Sequence, residues 1–155
     1  MSGPAPRTAA QRKADTLFLL AAPALDGWVA SADVVAGEVR AHLVPLSLAW
    51  VDATLVIAVD PDSRTARNLQ AHRRVRLGVG PTRDVVMIDA VLDGDVPVAE
   101  AAVPLADAYA AQADWDPRTA PGYAYFVLRP ERIQAWRESN ELSGRTIMQD
   151  GRWVV

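Results

Sequence analysis

The chain has 155 residues, half of them apolar, and a net charge of −3. That length suits one domain, 1–155, able to bury roughly two thirds of its unfolded surface in a single core, and the absence of cysteine excludes disulfides, thiolate catalysis and thiolate metal sites. The acidic balance excludes a global basic field for nucleic acid; no apolar run is long enough to span a bilayer and no export leader is read, so a cytoplasmic protein is expected.

The first eight residues, rich in Pro, Ser, Gly and Ala, read as a loose terminus. Ala9 to Ala22 has helical composition and stops at Pro23. From Gly27 the character turns to β: GWVASAD, RAHLVPLSLAWV and TLVIAVD are rich in β-branched and aromatic residues, with AGE and VDA as hairpin connections. Alternation in the second of these puts Leu43, Pro45 and Ser47 on one face and Val44, Leu46, Leu48 and Trp50 on the other. Pro45 cannot donate to a ladder, which predicts an edge, a bulge, or something other than a strand beside it.

Asp60 to Asn68, DPDSRTARN, joins the third strand to a short helix whose first turns carry Ser63, Arg64, Arg67 and Asn68. First-turn amides have no helical partner and the helix dipole adds partial positive charge, so a phosphate is attracted there. Two guanidiniums add charge-assisted hydrogen bonds. The alternative is a surface helix capped by Asp60 or Asp62 with solvated arginines. Arg64, Arg67, Arg73, Arg74 and Arg76 fall in one short segment of an otherwise acidic chain, which points to a small anion rather than a polymer.

Next come RVRLGVG and DVVMIDAVLDGDVPV around a PTRD turn, then a helix over 99–113 lined by Val103, Leu105, Ala106 and Tyr109. GYAYFVLRPERIQAWRE reads as a strand pair or one bent strand broken at Pro130, and TIMQDGRWVV as a hairpin around Asp150-Gly151. Six or seven strands with short antiparallel links and peripheral helices favour a closed or nearly closed β-barrel over a βαβ sheet.

Nucleotide loops of the GxGxxG or GxxxxGK[ST] type are absent, as are HExxH and GxSxG. His42 and His72 stand far apart, so no metal site is expected. Asp89, Asp93 and Asp95 read as a solvated strand end rather than an acid/base pair. Of the five tryptophans, Trp50 and Trp136 lie where ligand contact is considered, and the others default to core.

In their order, GWVASAD, HLVPLSLAW, TLVIAVDPDSRTARNLQAHRRVRLGV, DVVMIDAVL, Tyr109 with DWD, and YAYFVLRPERIQAW resemble the pyridoxamine-phosphate-oxidase-like family of flavin and deazaflavin oxidoreductases, over about Gly27 to Arg137. GRTIMQDGRW resembles an actinobacterial branch of it. The resemblance implies a mainly β, homodimeric split β-barrel of six to seven antiparallel strands with two cofactor sites at the subunit interface. It implies that Val44, Pro45 and Leu46 contact the cofactor ring and that Ser63, Arg64, Arg67 and Asn68, matching S-[KR]-x-x-[KR]-N-L, hold its phosphate. Arginine replaces the lysine of many relatives, keeping charge and adding a fork. The arginine and histidine set that binds pyridoxal phosphate is not recognisable, so vitamin synthesis is not implied.

The function expected from the resemblance is hydride transfer from reduced coenzyme F420 to an unsaturated or electron-poor small molecule. FMN is the nearest alternative cofactor; the longer anionic tail of F420 needs more positive charge, for which Arg73, Arg74 and Arg76 are candidates. Readings of other classes are a non-catalytic flavin or tetrapyrrole-binding protein and an interaction module that has lost its ligand.

Overall fold

The computed structural model describes Gly3–Val155; Met1 and Ser2, which head the segment expected to be loose, lie outside the described residues. The rest of that segment is tied down at three points. Pro4 accepts at its carbonyl from Asn140, Arg7 grips Glu141, and Thr8 caps the first helix, α1 (Ala9–Leu20). The Thr8 hydroxyl accepts from the Gln11 amide while the Gln11 side chain accepts from the Thr8 amide, a reciprocal cap.

The strands are β1 (Asp26–Val35), β2 (Glu38–Ser47), β3 (Ala49–Val51), β4 (Thr54–Val59), β5 (Arg74–Val79), β6 (Val85–Pro97), β7 (Ala124–Trp136), β8 (Thr146–Gln149) and β9 (Arg152–Trp153). Two further helices, α2 (Arg64–His72) and α3 (Val103–Ala113), interrupt them. Every pairing is antiparallel, in the order β2-β1-β5-β6-β7-β4-β3, with β8 beside β7 and β9 beside β8. Among the described residues, nine strands thus replace the six or seven expected. Part of the excess is a change of partner at Leu48, whose N–H still donates to the Leu25 carbonyl, one step beyond the Asp26–Ser47 pair, before Ala49 pairs with Val56, which divides one long strand into β2 and β3. The C-terminal hairpin supplies the rest.

The sheet curls but is not closed by hydrogen bonds: its end strands β2 and β3 are joined through Leu48 alone. Gly27 makes that corner possible, since a Cβ there would lie 2.7 Å from Leu48 Cδ1. Inside the curl, Val29, Leu55, Ile57, Leu77, Ile88, Phe126 and Leu128 form the main core, each side chain contributing roughly 1.5–3 kcal/mol on burial. Helix α3 covers the opposite face of β3, β4 and β7, where Ala49, Val56, Tyr125, Ala106 and Tyr109 form a second core. Strand β4 is therefore buried on both faces from Leu55 to Val59, which is why its sequence is a continuous apolar run and not an alternating one.

Three local expectations are corrected. Helix α3 starts at Val103, after a separate 3₁₀ turn at Val98–Glu100, and Val103 is itself exposed. Strand β7 runs unbroken through Pro130: Arg132 pairs with Asp89 and Pro130 with Ala90, leaving Glu131 as a bulge beside the residue that has no N–H to give. Trp28, expected by default in the core, is 55% exposed, whereas Arg74 and Arg76 lie on strand β5, as the β composition of RVRLGVG implies.

Candidate functional site

Helix α2 begins where β4 leaves the core at Val59. Ser63 is its cap, with extended backbone and a hydroxyl that accepts from the Ala66 amide at 3.2 Å. Asp60 instead stabilises the preceding turn through the Asp62 amide, so neither aspartate caps the helix. Asn68 faces inward, buried, and its amide donates to Ser31 Oγ on β1 at 3.0 Å. One turn on, His72 Nε2 meets Asp33 Oδ1 at 2.8 Å. That contact first, then the Val34 amide, holds the Asp33 carboxyl below the usual carboxylate range, and the nearby Arg64 charge acts in the same direction. These two latches lay α2 across Ser31 and Asp33.

Register then fixes what lies next to it. Ser31 pairs with His42, Asp33 with Arg40, Val29 with Val44 and Gly27 with Leu46, so these β2 side chains share the face on which α2 sits. Among the described residues no further strand lies beside β2, as suits Pro45. Val44 and Leu46 are half-buried and pack against the main core. The result is an apolar strip along an open sheet edge, flanked by the start of α2. Among the described residues, Arg40, Arg64 and Arg67 make no ion pair and no side-chain hydrogen bond. The Arg64 and Thr65 amides of the first helical turn have no helical acceptor.

The residues anticipated from sequence divide as follows. Ser63, Arg64 and Arg67 stand together at the helix start, with Val44 and Leu46 on the neighbouring strand. Pro45 has its side chain on the other face, paired with Trp28. The Ser63 hydroxyl and the Asn68 amide are engaged in holding α2 rather than free. Trp50 is half-buried against the main core, its backbone N–H donating to Gln112 Oε1 at 2.7 Å. Trp136 lies on β7, with β1, β5 and β6 between it and β2 in the sheet.

Arg73, Arg74 and Arg76 do not extend the cluster. The Arg73 guanidinium donates to the Leu92 carbonyl, Arg74 pairs with Glu131 at 3.2 Å, and Arg76 forks onto Asp89 at 2.6 and 2.9 Å. Asp93 likewise pairs with Arg129, at 3.4 Å. Arg40 and His42 were missed in sequence, although counting back by twos from Val44 reaches both.

No known family model matches this sequence, and no curated protein does. Solved structures match it over most of its length. An F420 reductase superposes with a TM-score of 0.55 at 18% identity, covering 74% of this chain and 92% of its own. A putative pyridoxamine 5'-phosphate oxidase from Listeria innocua gives 0.59 at 13% identity, covering 81% and 98%. The fold is that of the pyridoxamine 5'-phosphate oxidase-like split barrels. A heme binding protein from Mycobacterium smegmatis shares this split barrel at a TM-score of 0.58 and 21% identity, covering 97% of this chain, which spans 60% of that longer one.

Proposed function

We propose that this split barrel binds a phosphorylated flavin-type cofactor, reduced F420 in the first place and FMN as the alternative, and uses it to reduce an unsaturated or electron-poor small molecule. The observation that carries the reading is the pair of exposed arginines, Arg64 and Arg67, without counter-ions at the start of a helix beside an apolar strand edge. Two cations without an ion-pair partner, next to first-turn amides without a helical acceptor, suit a phosphate ester, and the Val44–Leu46 strip suits the flat ring attached to it. Arg40, a third unpaired cation on the same face, favours the more anionic F420 tail over FMN.

When bound, the cofactor supplies a hydride equivalent. The chain's own residues have simpler tasks. Arg64 and Arg67 anchor the phosphate, Ser63 and Asn68 hold α2 in place to present them, and Val44 and Leu46 keep water from one side of the ring. No side chain need act as a nucleophile, which agrees with the absence of a catalytic constellation in the sequence.

The barrel is also proposed to work as a homodimer. Val34, Ala32, Ala30 and Trp28 on β1 pair with Val39, Ala41, Leu43 and Pro45 on β2, forming a charge-free outer face. Val39 is 74% exposed, Leu43 59%, Val34 56% and Trp28 55%. An apolar strip of this kind suits a second copy of the chain.

Titration with reduced F420 and with FMN tests the cofactor reading, and multiple turnover with an electron-poor alkene separates an enzyme from a carrier. Micromolar binding of at least one cofactor is expected. Binding of neither would overturn it.

A further inference from the structure

Helix α1 crosses one end of the barrel and sends Leu20 into the main core, while Gln112 holds the end of the helix by donating to the Leu20 and Ala22 carbonyls at 2.6 and 3.0 Å. The packing stops short of closure. Between the helix and the inner face of β6 and β7, Leu19, Ala22, Val86 and Ala135 line an apolar cavity of about 270 Å³. A void of that size forfeits contacts that larger side chains would supply. Phe18 stands at its edge, 84% exposed.

A polar atom in the wall is unsatisfied. Thr16 lines the same cavity, is 1% exposed, and its hydroxyl has no partner among the described residues. A threonine inside a helix ordinarily returns its hydroxyl to the carbonyl one turn back; this one does not. Arg12 lies one turn earlier on the same buried face. Its Nη1 and Nη2 donate to the Arg7 and Gly144 carbonyls, yet its Nε is also buried without an acceptor. Donors left unmet in this way cost free energy unless an acceptor enters.

The rim says what kind of acceptor. Arg7 meets Asp15 at 2.8 Å and Asp84 at 3.4 Å, and Arg137 meets Asp84 at 3.0 Å and Asp15 at 3.7 Å, so that two guanidiniums and two carboxylates form a closed ring. Each charge at the entrance is already matched, and the two carboxylates disfavour an entering anion. We propose that this cavity binds a compact, uncharged, mainly apolar molecule carrying one carbonyl oxygen, a small ketone or aldehyde: the oxygen accepts from the Thr16 hydroxyl, and the body lies against Leu19, Val86 and Ala135. The site is separate from the start of α2 and does not depend on the cofactor reading.

Amide chemical-shift titration of the whole chain with acetophenone, ethylbenzene and benzoate tests this. Acetophenone should saturate at about 1 mM or below, with the shifts centred on residues 16–22, 86 and 135. Thr16→Val, which keeps the shape and removes the hydroxyl, should weaken acetophenone about three- to tenfold, the yield of one neutral hydrogen bond, and leave ethylbenzene unchanged. Ala22→Leu, which fills the cavity, should abolish the binding of both. Failure of acetophenone to saturate, or shifts confined to other parts of the barrel, would overturn the proposal. So would benzoate binding more tightly than acetophenone, for then the buried Arg12 charge is recruiting an anion. Acetophenone affinity indifferent to Thr16→Val would overturn it too, since a water molecule would then be satisfying the hydroxyl. Should Ala22→Leu fail to fold, the Thr16→Val comparison and the location of the shifts decide.

Discussion

Arg64 and Glu141 show how differently two charged residues can be used in one chain. Arg64 is left unpaired at a helix start, whereas Glu141 is 3% exposed and accepts from Arg7 N, Nε and Nη2 at 2.8, 3.0 and 2.8 Å and from the Arg137 amide at 2.8 Å. Its hydrogen bond from the Arg7 side chain, opposed by burial, lowers its carboxyl to about 2. A carboxyl depressed in the folded state stabilises fully above its unfolded value near 4.5 and loses that contribution as the pH falls from there toward 2. Glu141→Gln should therefore lower stability by about 3 kcal/mol at pH 7, the order found for breaking a buried pair. Urea titrations of both proteins should show the gap closing below pH 4. A gap independent of pH would contradict the assignment. At this scale the sequence was partly legible: alternation separated Val44 and Leu46 from Pro45, and the S-R-x-x-R-N pattern brought Ser63, Arg64 and Arg67 to one helix start. That Arg76 meets Asp89 was not legible, because cross-strand partners depend on register between segments far apart in the chain.

Among the elements, the turns were read from composition and their geometry bears the reading out. Ala36-Gly37 and Asp150-Gly151 both place two successive residues at positive φ, the conformation of the tight hairpin turn that matches strand twist. Asp52-Ala53 does the same without a glycine, at φ 49° and 60°. Alanine in that region carries roughly 1 kcal/mol of strain from its Cβ. Ala53→Gly should then raise stability by up to about 1 kcal/mol, the relief of strain exceeding the added freedom of the unfolded chain. Thermal denaturation checks this, and a lower midpoint would show the turn to be unstrained. Boundaries were less legible. The helical composition of 99–113 hid a break at Ala101–Ala102, and the proline in β7 suggested an end where a bulge let the strand continue.

For the molecule as a whole, the antiparallel β character and peripheral helices were evident from strand count and link length, but the open curl was not. It depends on the chain changing partner from β1 to β4 just after Leu48 and on the room Gly27 provides, both tertiary facts. The exposed apolar face of β1 and β2 leads to a separate expectation. Sedimentation equilibrium should give twice the 16.7 kDa chain mass, and Val39→Glu, which puts a charge on the most exposed residue of the strip, at its hairpin end, should shift the protein toward monomer without lowering its unfolding temperature. A wild-type monomer at tens of micromolar would contradict dimer formation through that face.

The most direct test of the central claim is the affinity of the intact chain for reduced F420 and for FMN, compared with that of a variant carrying Arg64→Ala and Arg67→Ala. Two charge-assisted phosphate contacts together should account for about a hundredfold or more in affinity. The account predicts that loss for whichever cofactor binds, with the unfolding temperature unchanged because neither arginine supports the fold. Wild-type and variant proteins binding equally well would contradict it.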